Sequence, residues 1–221
     1  MVELFLNMML KNYYYSFKSA IPLRICDDII KYGTQQRSSL ALTGGLQNKI
    51  NPLTKKLSQK DEKDLKKKRY SDVVWMTEKW VYKEIHPYIA KANQEAGWNF
   101  EYDWSESCQF TKYSKDQYYG WHCDSWEGTY GDPKDLNTYG KTRKLSVTVS
   151  LSDPSEYKGG ELEFDFRNFD PDKKRNVRKC KEILPKGSIV VFPSFCWHRV
   201  CPVKSGTRYS LVVWNLGRPY K

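Results

Sequence analysis

Apolar and polar residues alternate in short runs after about residue 100. The most regular run, residues 144–151, places four apolar side chains on one face of a predicted strand. Three further runs are typical of strands: 161–166, 188–192 and 208–214. Turn sequences separate them at 153–154, 159–160, 185–187 and 204–206. Short strands between such turns predict a double-sheet, cupin-like jelly roll over residues 101–217.

The first hundred residues have a helical period instead. Residues 21–32 predict a helix that ends at Gly33. A stripe of apolar residues predicts a second helix between Thr77, as its N-cap, and Gly97. Pro87 lies inside that stripe, which predicts a kink or two shorter helices.

The chain is expected to fold as one domain. Its 221 residues allow one domain or two. Short strands are predicted among the helices at 13–17 and 71–75, and a strand with a turn at 40–45. We therefore expect a single unit, residues 1–221, in which a helical support region (1–100) flanks a mainly β core (101–217).

Charge is concentrated in two segments of a strongly basic chain. The net charge is +11, and residues 55–69 and 167–186 each contain eight basic and three acidic residues. The first of these segments is predicted to be mobile or weakly helical. A basic stripe favours nucleic acid or an acidic partner. Two solvated loops are the other interpretation, and we expect the loops.

The six cysteines are spread along the chain without a Cys-x-x-Cys pair. In a chain of this length they are typical of free thiols in a reducing compartment. The sequence also lacks an apolar run of about 18 residues, so no membrane span is predicted. It ends without an endoplasmic-reticulum retention signal. These features predict a cytoplasmic protein.

Candidate chemistry centres on two of the three histidines. His122 and Asp124 are separated by one residue, so in an extended strand their side chains point the same way. Together with His198 they supply two imidazoles and one carboxylate. Such a set occupies one face of an octahedral ion and leaves the opposite positions open, as in non-haem Fe(II) oxygenases. A zinc site from Cys196, His198 and Cys201 is the alternative, although its spacing matches no common zinc module.

Arg208 strengthens the metal interpretation. It follows His198 by ten residues on the next predicted strand, where Ser210 and Trp214 share its face. A guanidinium offers a fixed fork for a carboxylate. The remaining histidine, His86, lies before a proline and outside any ligand spacing, and we expect it to have a structural, hydrogen-bonded role.

Six short blocks in the second half of the chain carry a family resemblance. They are residues 109–113 (QFTKY), 121–124 (WHCD), 143–146 (RKLS), 159–162 (GGEL), 192–194 (FPS) with His198, and 206–210 (GTRYS). In order and spacing this set resembles the 2-oxoglutarate/Fe(II)-dependent dioxygenases, and within them the prolyl 4-hydroxylase-like branch. The blocks cover residues 105–216, about half of the chain. The resemblance implies the fold of that family, a double-stranded β-helix with helices outside one sheet.

The resemblance also implies a role for each candidate residue. Iron ligands are implied at His122, Asp124 and His198, and catalytic roles at these three residues and at Arg208. Contacts to the co-substrate 2-oxoglutarate are implied at Tyr113, Arg208, Ser210 and Trp214. Simple core packing is the alternative for Tyr113 and Trp214. Collagen-type prolyl hydroxylases have lysine at the position of Arg208, so carboxylate binding is kept while close identity with those enzymes is weakened.

Substrate contacts are expected around a loop that follows the first two metal ligands. Arg143 matches a family position that faces the substrate, with a solvated strand end as the alternative. Residues 125–141 contain Trp126, Tyr130 and several glycines, which predicts a flexible aromatic loop that closes over the substrate. A disordered surface connection is the alternative for this loop.

The resemblance implies a catalytic domain that uses Fe(II), 2-oxoglutarate and O2 and releases succinate and CO2, with ascorbate as a supporting reductant. The expected substrate is proline in a peptide or protein. One alternative keeps the chemistry and changes the substrate to another residue, a free amino acid or a nucleic acid drawn in by the basic segments. A second is a non-catalytic jelly-roll binding module.

Overall fold

The described residues form two main antiparallel sheets and a separate pair of strands, and two of the three helices pack outside the larger sheet. The computed structural model describes residues 11, 13–43, 46–51, 54, 57–166 and 176–220. The helices are α1 (Leu23–Gln35), α2 (Gln59–Lys66) and α3 (Lys79–Glu95), with 3-10 turns at Leu46–Lys49, Pro154–Glu156 and Lys181–Ile183. The strands are β1 (Tyr15–Phe17), β2 (Ser39–Leu40), β3 (Arg69–Tyr70), β4 (Asp72–Met76), β5 (Trp104–Ser105), β6 (Cys108–Tyr113), β7 (Tyr118–His122), β8 (Thr142–Ser150), β9 (Tyr157–Gly159), β10 (Leu162–Asp165), β11 (Val177–Lys179), β12 (Ile189–Pro193), β13 (His198–Val200), β14 (Val203–Gly206) and β15 (Arg208–Gly217).

The strands pair in an order far from their order in the sequence. Within the described residues the larger sheet has eight strands, ordered β1-β12-β8-β15-β6-β4-β2, with β5 paired to the end of β15. The smaller sheet is ordered β11-β10-β13-β7-β3, and β14 pairs with β9 alone. Neighbouring strands run antiparallel. The expectation of a mainly β fold with flanking helices is confirmed.

Strand β8 shows how the alternating pattern builds two layers. Leu145, Val147 and Val149 are fully buried in a core that they share with apolar residues of α1 and α3. Burial of each such side chain stabilises the fold by about 1.5–3 kcal/mol. Ser146 and Thr148 point to the opposite face, towards the smaller sheet. The interior between the sheets is therefore lined partly by polar groups.

The end of α1 differs from the prediction. Gly33 lies inside the helix, which continues to Gln35, so the prediction that Gly33 ends it is wrong. A Cβ atom at Gly33 would lie 2.5 Å from Cδ1 of Phe110. The glycine is thus explained by the close approach of α1 to the larger sheet and not by a helix end.

Helix α3 also starts and runs differently from the prediction. Its N-cap is Glu78, so the prediction of Thr77 is wrong by one residue. The helix is continuous from Lys79 to Glu95 with Pro87 inside it, so the alternative of two shorter helices is wrong. The glycine after its end, Gly97, has a φ of +75°, which agrees with the predicted stop.

The first hundred residues contribute strands to both sheets. β1 pairs with β12 and β4 with β6 in the larger sheet, while β3 pairs with β7 in the smaller one. The strands predicted at 13–17 and 71–75 are present as β1 and β4, whereas the one predicted at 40–45 is limited to β2. Residues 44–45 lie outside the described part of the chain. The support region therefore contributes strands to the β core and does not only flank it.

The basic segment 55–69 is more ordered than expected. Residues 59–66 form α2, where Ser58 caps the N-terminus and Leu65 is buried. Its acidic residues each pair with a lysine: Lys49 with Asp61, Lys66 with Glu62, and Lys67 with Asp64. Residues 55–56 and 167–175, which carry much of the remaining basic charge, lie outside the described residues. No helix in the described part of the chain is long and apolar enough to span a membrane.

Candidate metal centre and its cavity

Three side chains meet between the end of β7 and the start of β13. His122 and His198 are register partners across these strands, and Asp124 follows β7 by two residues. Nε2 of His122 lies 3.6 Å from Oδ1 of Asp124, and Nε2 of His198 lies 3.6 Å from Oδ2. One potential ligand atom from each residue falls within 4.8 Å of the others. In the described residues no other cluster of this kind forms, so neither does the zinc alternative with Cys196 and Cys201.

Backbone carbonyl groups fix the orientation of both imidazoles. Nδ1 of His122 donates to the carbonyl oxygen of Gly120 at 2.8 Å, and Nδ1 of His198 donates to that of Cys196 at 3.0 Å. A neutral imidazole that donates from Nδ1 keeps a lone pair on Nε2. Both lone pairs face the Asp124 carboxylate, and this donor set suits Fe(II) with part of its coordination sphere open.

The electrostatic surroundings keep His122 and Asp124 in the forms that bind metal. Burial, together with the neighbouring His198, lowers the pKa of His122 to about 3. Burial alone would raise the pKa of Asp124, but His198, His122 and Arg143 and a hydrogen bond from Ser146 outweigh it and bring the pKa to about 2. At neutral pH, His122 is therefore neutral and Asp124 ionised.

Two serines hold the Asp124 carboxylate in place. Oγ of Ser146, on β8, donates to Oδ2 of Asp124 at 2.7 Å and lies 2.9 Å from Oγ of Ser194. The backbone N–H groups of Asp124 and Ser125 donate to the Ser194 carbonyl at 2.8 and 3.0 Å. The larger sheet and the turn after β12 thus jointly position a residue that lies beyond the end of its own strand.

A cavity extends from this cluster between the two sheets. It contains about 420 Å³ of empty space, counting the part open to solvent. Its walls are formed by Gln109, Tyr113, Tyr119, His122, Asp124, Thr148, Leu162, His198, Val200, Arg208, Ser210, Val212 and Trp214. The structure therefore brings the three metal-ligand candidates and the four co-substrate candidates to a single cavity.

Arg208 is buried in the wall of this cavity, and no acidic partner for it is found in the part of the chain that the structure describes. Its side chain is 2% exposed, and within the described residues no carboxylate forms an ion pair with it. The guanidinium donates to Oγ of Ser210 at 3.2 Å and lies 5.4 Å from the ring centroid of Tyr113, its register partner on β6. An uncompensated buried charge is costly, and a bound carboxylate would offset that cost. Arg208 therefore fits the distal carboxylate of 2-oxoglutarate.

Gly160 provides the space that Arg208 occupies. A Cβ atom at this position would lie 2.9 Å from Cδ of Arg208 and 3.0 Å from Cγ2 of Val203. The φ of Gly160 is +64°, a conformation that glycine adopts without strain. Glycine at position 160 thus allows the positive φ of the turn and leaves room for the Arg208 side chain.

Trp214 and Arg143 form a stacked pair beside the metal-ligand candidates. The Arg143 guanidinium carbon lies 3.9 Å from the ring centroid of Trp214. Nε1 of Trp214 is buried and has no hydrogen-bond partner among the described residues. Arg143 also makes a bidentate contact with Glu106 at 2.6 and 2.7 Å, and its Nη1 lies 3.5 Å from the carbonyl oxygen of Asp124. Arg143 is therefore held near the metal-ligand candidates, so the solvated strand end is not observed.

The loop 125–141 is anchored to Glu106, the acidic partner of Arg143. The Tyr130 hydroxyl donates to Glu106 at 2.8 Å, and its backbone exchanges hydrogen bonds with Lys141 and Gly140. Trp126 is 45% exposed and packs edge-on against Tyr130. The loop is thus anchored to the body of the protein through Tyr130, while Trp126 remains accessible at its surface.

Several residues of the site carried no signal in the sequence. Glu106 lies in an irregular stretch before β6, and Ser146 and Ser194 were given no role, although they belong to two of the blocks that carry the family resemblance. Tyr119 stacks on His122 with ring centroids 3.4 Å apart, and the guanidinium of Arg69 lies 4.4 Å from the Tyr119 ring centroid. Arg69 belongs to the basic run interpreted as solvated, yet its residue is 4% exposed.

The structural role expected for His86 agrees with its contacts. Its Nε2 lies 3.1 Å from Oγ of Ser105, which in turn donates to Oδ1 of Asn215 at 2.8 Å. These contacts link α3 to β5 and β15. They lie apart from the metal-ligand candidates, since His86 does not line the cavity.

The fold and the site together define a jelly-roll oxygenase, and comparison with known sequences agrees. Residues 108–215 match the model of the 2OG-Fe(II) oxygenase superfamily. These residues therefore form a 2OG-Fe(II) oxygenase domain. The family implies Fe(II) as the bound metal and 2-oxoglutarate and O2 as co-substrates.

Curated relatives are similar over the same half of the chain. A PKHD-type hydroxylase of Prochlorococcus marinus is 39% identical over 107 residues, which cover 48% of this chain and 39% of the relative. A PKHD-type hydroxylase of Synechococcus is 38% identical over 97 residues, covering 43% and 35%. The matched region thus spans about two fifths of the length of these relatives.

Solved structures are similar over nearly the whole chain. A Pseudomonas putida prolyl-4-hydroxylase superposes with a TM-score of 0.60 at 16% identity and covers 97% of this chain and 98% of its own. A viral collagen prolyl hydroxylase from Paramecium bursaria Chlorella virus-1 gives 0.57 at 21% identity, covering 93% and 96%. At these identities the comparison establishes the jelly-roll fold.

Proposed function

We propose that this protein is an Fe(II)/2-oxoglutarate-dependent dioxygenase that hydroxylates proline in a peptide or protein substrate. The observation that carries the proposal is the meeting of His122, Asp124 and His198 with an uncompensated Arg208 in one cavity. In this proposal residues 1–221 act as a single catalytic domain, since strands from both halves complete both sheets.

His122, Asp124 and His198 would hold Fe(II), and the bound metal would supply the activation of O2 that couples 2-oxoglutarate decarboxylation to substrate hydroxylation. The protein groups do the positioning. Arg208 and Tyr113 would bind the distal carboxylate, with Ser210 fixing the guanidinium. Trp214 would donate its unpartnered Nε1–H within the cavity, and the apolar walls would limit the access of water.

A peptide is proposed as the substrate because of the structural neighbours and because of the exposed side chain of Trp126. Structural neighbours include prolyl hydroxylases, one of them from Trichoplax adhaerens in complex with a peptide fragment of hypoxia-inducible factor. Arg143, Trp126 and Tyr130 are the proposed substrate-facing residues. Trp126 offers an exposed aromatic face, which suits the ring of a proline, and the loop 125–141 is proposed as the lid. Ascorbate is proposed as a supporting reductant.

The other functions that were considered have less support. In α2 the acidic residues neutralise three of the lysines, which weakens the case for a nucleic-acid surface there. A non-catalytic binding module does not explain why a buried arginine lacks an acidic partner beside three metal-ligand candidates. A cytoplasmic location is proposed because all six cysteines are free thiols.

The test is an anaerobic binding measurement followed by turnover. Purified protein is loaded with Fe(II) and 2-oxoglutarate, exposed to O2, and assayed for succinate with and without proline-containing peptides. We expect peptide-stimulated succinate formation and the gain of one oxygen atom on proline by mass spectrometry. Oxygen gained only on nucleotides or on another residue would refute the proline substrate, and absence of both metal binding and succinate would refute the enzyme. Asp124→Ala is the inactive control.

A further inference from the structure

A single turn supports two of the three metal-ligand candidates. In residues 194–196, the Ser194 carbonyl accepts the backbone N–H of Asp124 at 2.8 Å, and Oγ of Ser194 contacts Ser146, which binds the Asp124 carboxylate. The Cys196 carbonyl of the same turn accepts Nδ1 of His198 at 3.0 Å. A displacement of this turn would therefore move Asp124 and His198 together.

The outer side of the turn packs against aromatic rings from distant parts of the sequence. Phe195 contacts Tyr220 with ring centroids 5.8 Å apart and Phe100 with centroids 6.4 Å apart, both edge-on. Tyr220 and Phe100 also pack edge-on, at 5.2 Å. We call residues 218–220, which follow β15, the strap. Edge-on aromatic pairs contribute about 0.5–1.5 kcal/mol each beyond simple burial.

The strap is also attached to the strand that carries Ser146. The Tyr220 hydroxyl donates to the Lys144 carbonyl at 3.4 Å, and the same carbonyl accepts the backbone N–H of Ser194 at 3.0 Å. Nζ of Lys144 lies 3.5 Å from the ring centroid of Tyr220. Lys144 is buried, and none of the described carboxylates forms an ion pair with it, so the aromatic face compensates its charge.

We propose that Tyr220 is a positioning residue for the metal centre, acting through Phe195 and the turn 194–196 on Asp124 and His198. Tyr220 itself does not line the cavity. By clamping the turn against β8 it fixes the hydrogen-bond acceptors that orient both ligands. The proposal rests on the proposed function, because it assumes that these residues bind a metal.

The test measures metal affinity and not only activity. Loss of groups that orient metal ligands lowers affinity by about 10–100-fold, and for this more remote residue we expect Tyr220→Ala to weaken Mn(II) binding by about tenfold. Binding is followed by the electron paramagnetic resonance of free Mn(II). Tyr220→Phe keeps the ring packing and loses only a long hydrogen bond, so its affinity should stay within about twofold of the wild type. Trp80→Ala, an exposed aromatic residue of α3, is the matched control.

A second variant separates positioning from simple loss of folding. Phe195→Ala should weaken Mn(II) binding to a similar extent, and the double variant with Tyr220→Ala should add little, because both act through one contact. At saturating Co(II), the visible absorption spectrum of Tyr220→Ala should shift, which a lower thermal midpoint alone would not produce.

Three outcomes distinguish the two levels of the argument. Wild-type affinity and an unchanged Co(II) spectrum in folded Tyr220→Ala would overturn the role of Tyr220 and leave the proposed function intact. Additive effects of the two variants would overturn the shared route through Phe195. Failure of the wild type to bind Mn(II) or Co(II) would overturn the proposed function and the inference with it.

Discussion

The metal centre and the Arg208 site line one cavity but are built on opposite principles. At the metal centre, hydrogen bonds to the surrounding protein fix the three ligand candidates. Both histidine Nδ1 atoms donate to backbone carbonyls, and the Asp124 carboxylate accepts from Ser146. At the Arg208 site a buried cation has, within the described residues, one hydrogen bond to Ser210 and no carboxylate partner. The first region is pre-organised for its ligand, whereas the second holds a buried charge that a bound carboxylate would compensate.

The largest effect is expected at the metal centre. His198→Ala removes one of three ligands and should lower 2-oxoglutarate turnover by at least about a thousandfold, because metal-assisted stabilisation is worth several kcal/mol. Succinate formation and Mn(II) titration measure the loss. Retention of turnover within tenfold of the wild type would show that this residue is not a ligand.

Arg208→Met tests the other side of the comparison. We expect the Kd for 2-oxoglutarate to rise by about a hundredfold, since breaking a buried charge pair costs about 2–5 kcal/mol. The ligand-free protein should at the same time melt at a higher temperature, because an uncompensated charge has been replaced by an apolar chain of similar length.

Calorimetry without O2 and thermal melting provide the two readouts for Arg208. Arg208→Lys is the matched control, and it should lose less affinity because it keeps the charge but not the fork. A lower melting temperature for Arg208→Met would mean that the arginine is already compensated in the free protein, and the contrast between the two regions would disappear.

A smaller effect is expected from the serine that supports Asp124. Ser146→Ala should reduce Mn(II) affinity by about tenfold, as for other groups that orient metal ligands. Ser150→Ala is the control, because Ser150 lies on the same face of β8 but contacts the carbonyl of Ser152. Equal affinities of the two variants would show that the carboxylate needs no help from β8.

The smallest effect is expected from Trp214→Phe. Its indole N–H is buried without a partner, so it is predicted to bond to a ligand in the cavity. Loss of one such bond, about 1 kcal/mol, should weaken 2-oxoglutarate or peptide binding by about fivefold. Trp80→Phe serves as the control. An unchanged Kd for both ligands would assign Trp214 to core packing alone.

Local pattern was sufficient to predict most of the core and the centre of the site. Alternation over 144–151 and 208–214 is present as β8 and β15. His122 and Asp124 reach one cluster as predicted, although Asp124 lies two residues beyond the end of β7. The resemblance added Tyr113, which lies opposite Arg208 in the sheet. These features depend on short-range geometry or on the spacing of the blocks that carry the family resemblance.

The parts that were missed depend on contacts between distant segments. Glu106 is recognisable only because Arg143, 37 residues later, folds against it. Gly33 looked like a helix end, but the absence of a side chain there is explained by the close approach of Phe110 on another element. Arg69 looked solvated because it ends a run of lysines, yet pairing of β3 with β7 buries it under Tyr119. None of these partners can be deduced from neighbouring residues.

The contribution of the early strands has a practical consequence for fragments. A polypeptide cut to the oxygenase match, residues 108–215, would lack β1, β3 and β4. The outer hydrogen-bonding groups of β12, β7 and β6 would then be bare, and such open borders recruit other chains. A protein truncated to residues 108–215 should therefore self-associate, and biochemical work should use residues 1–221.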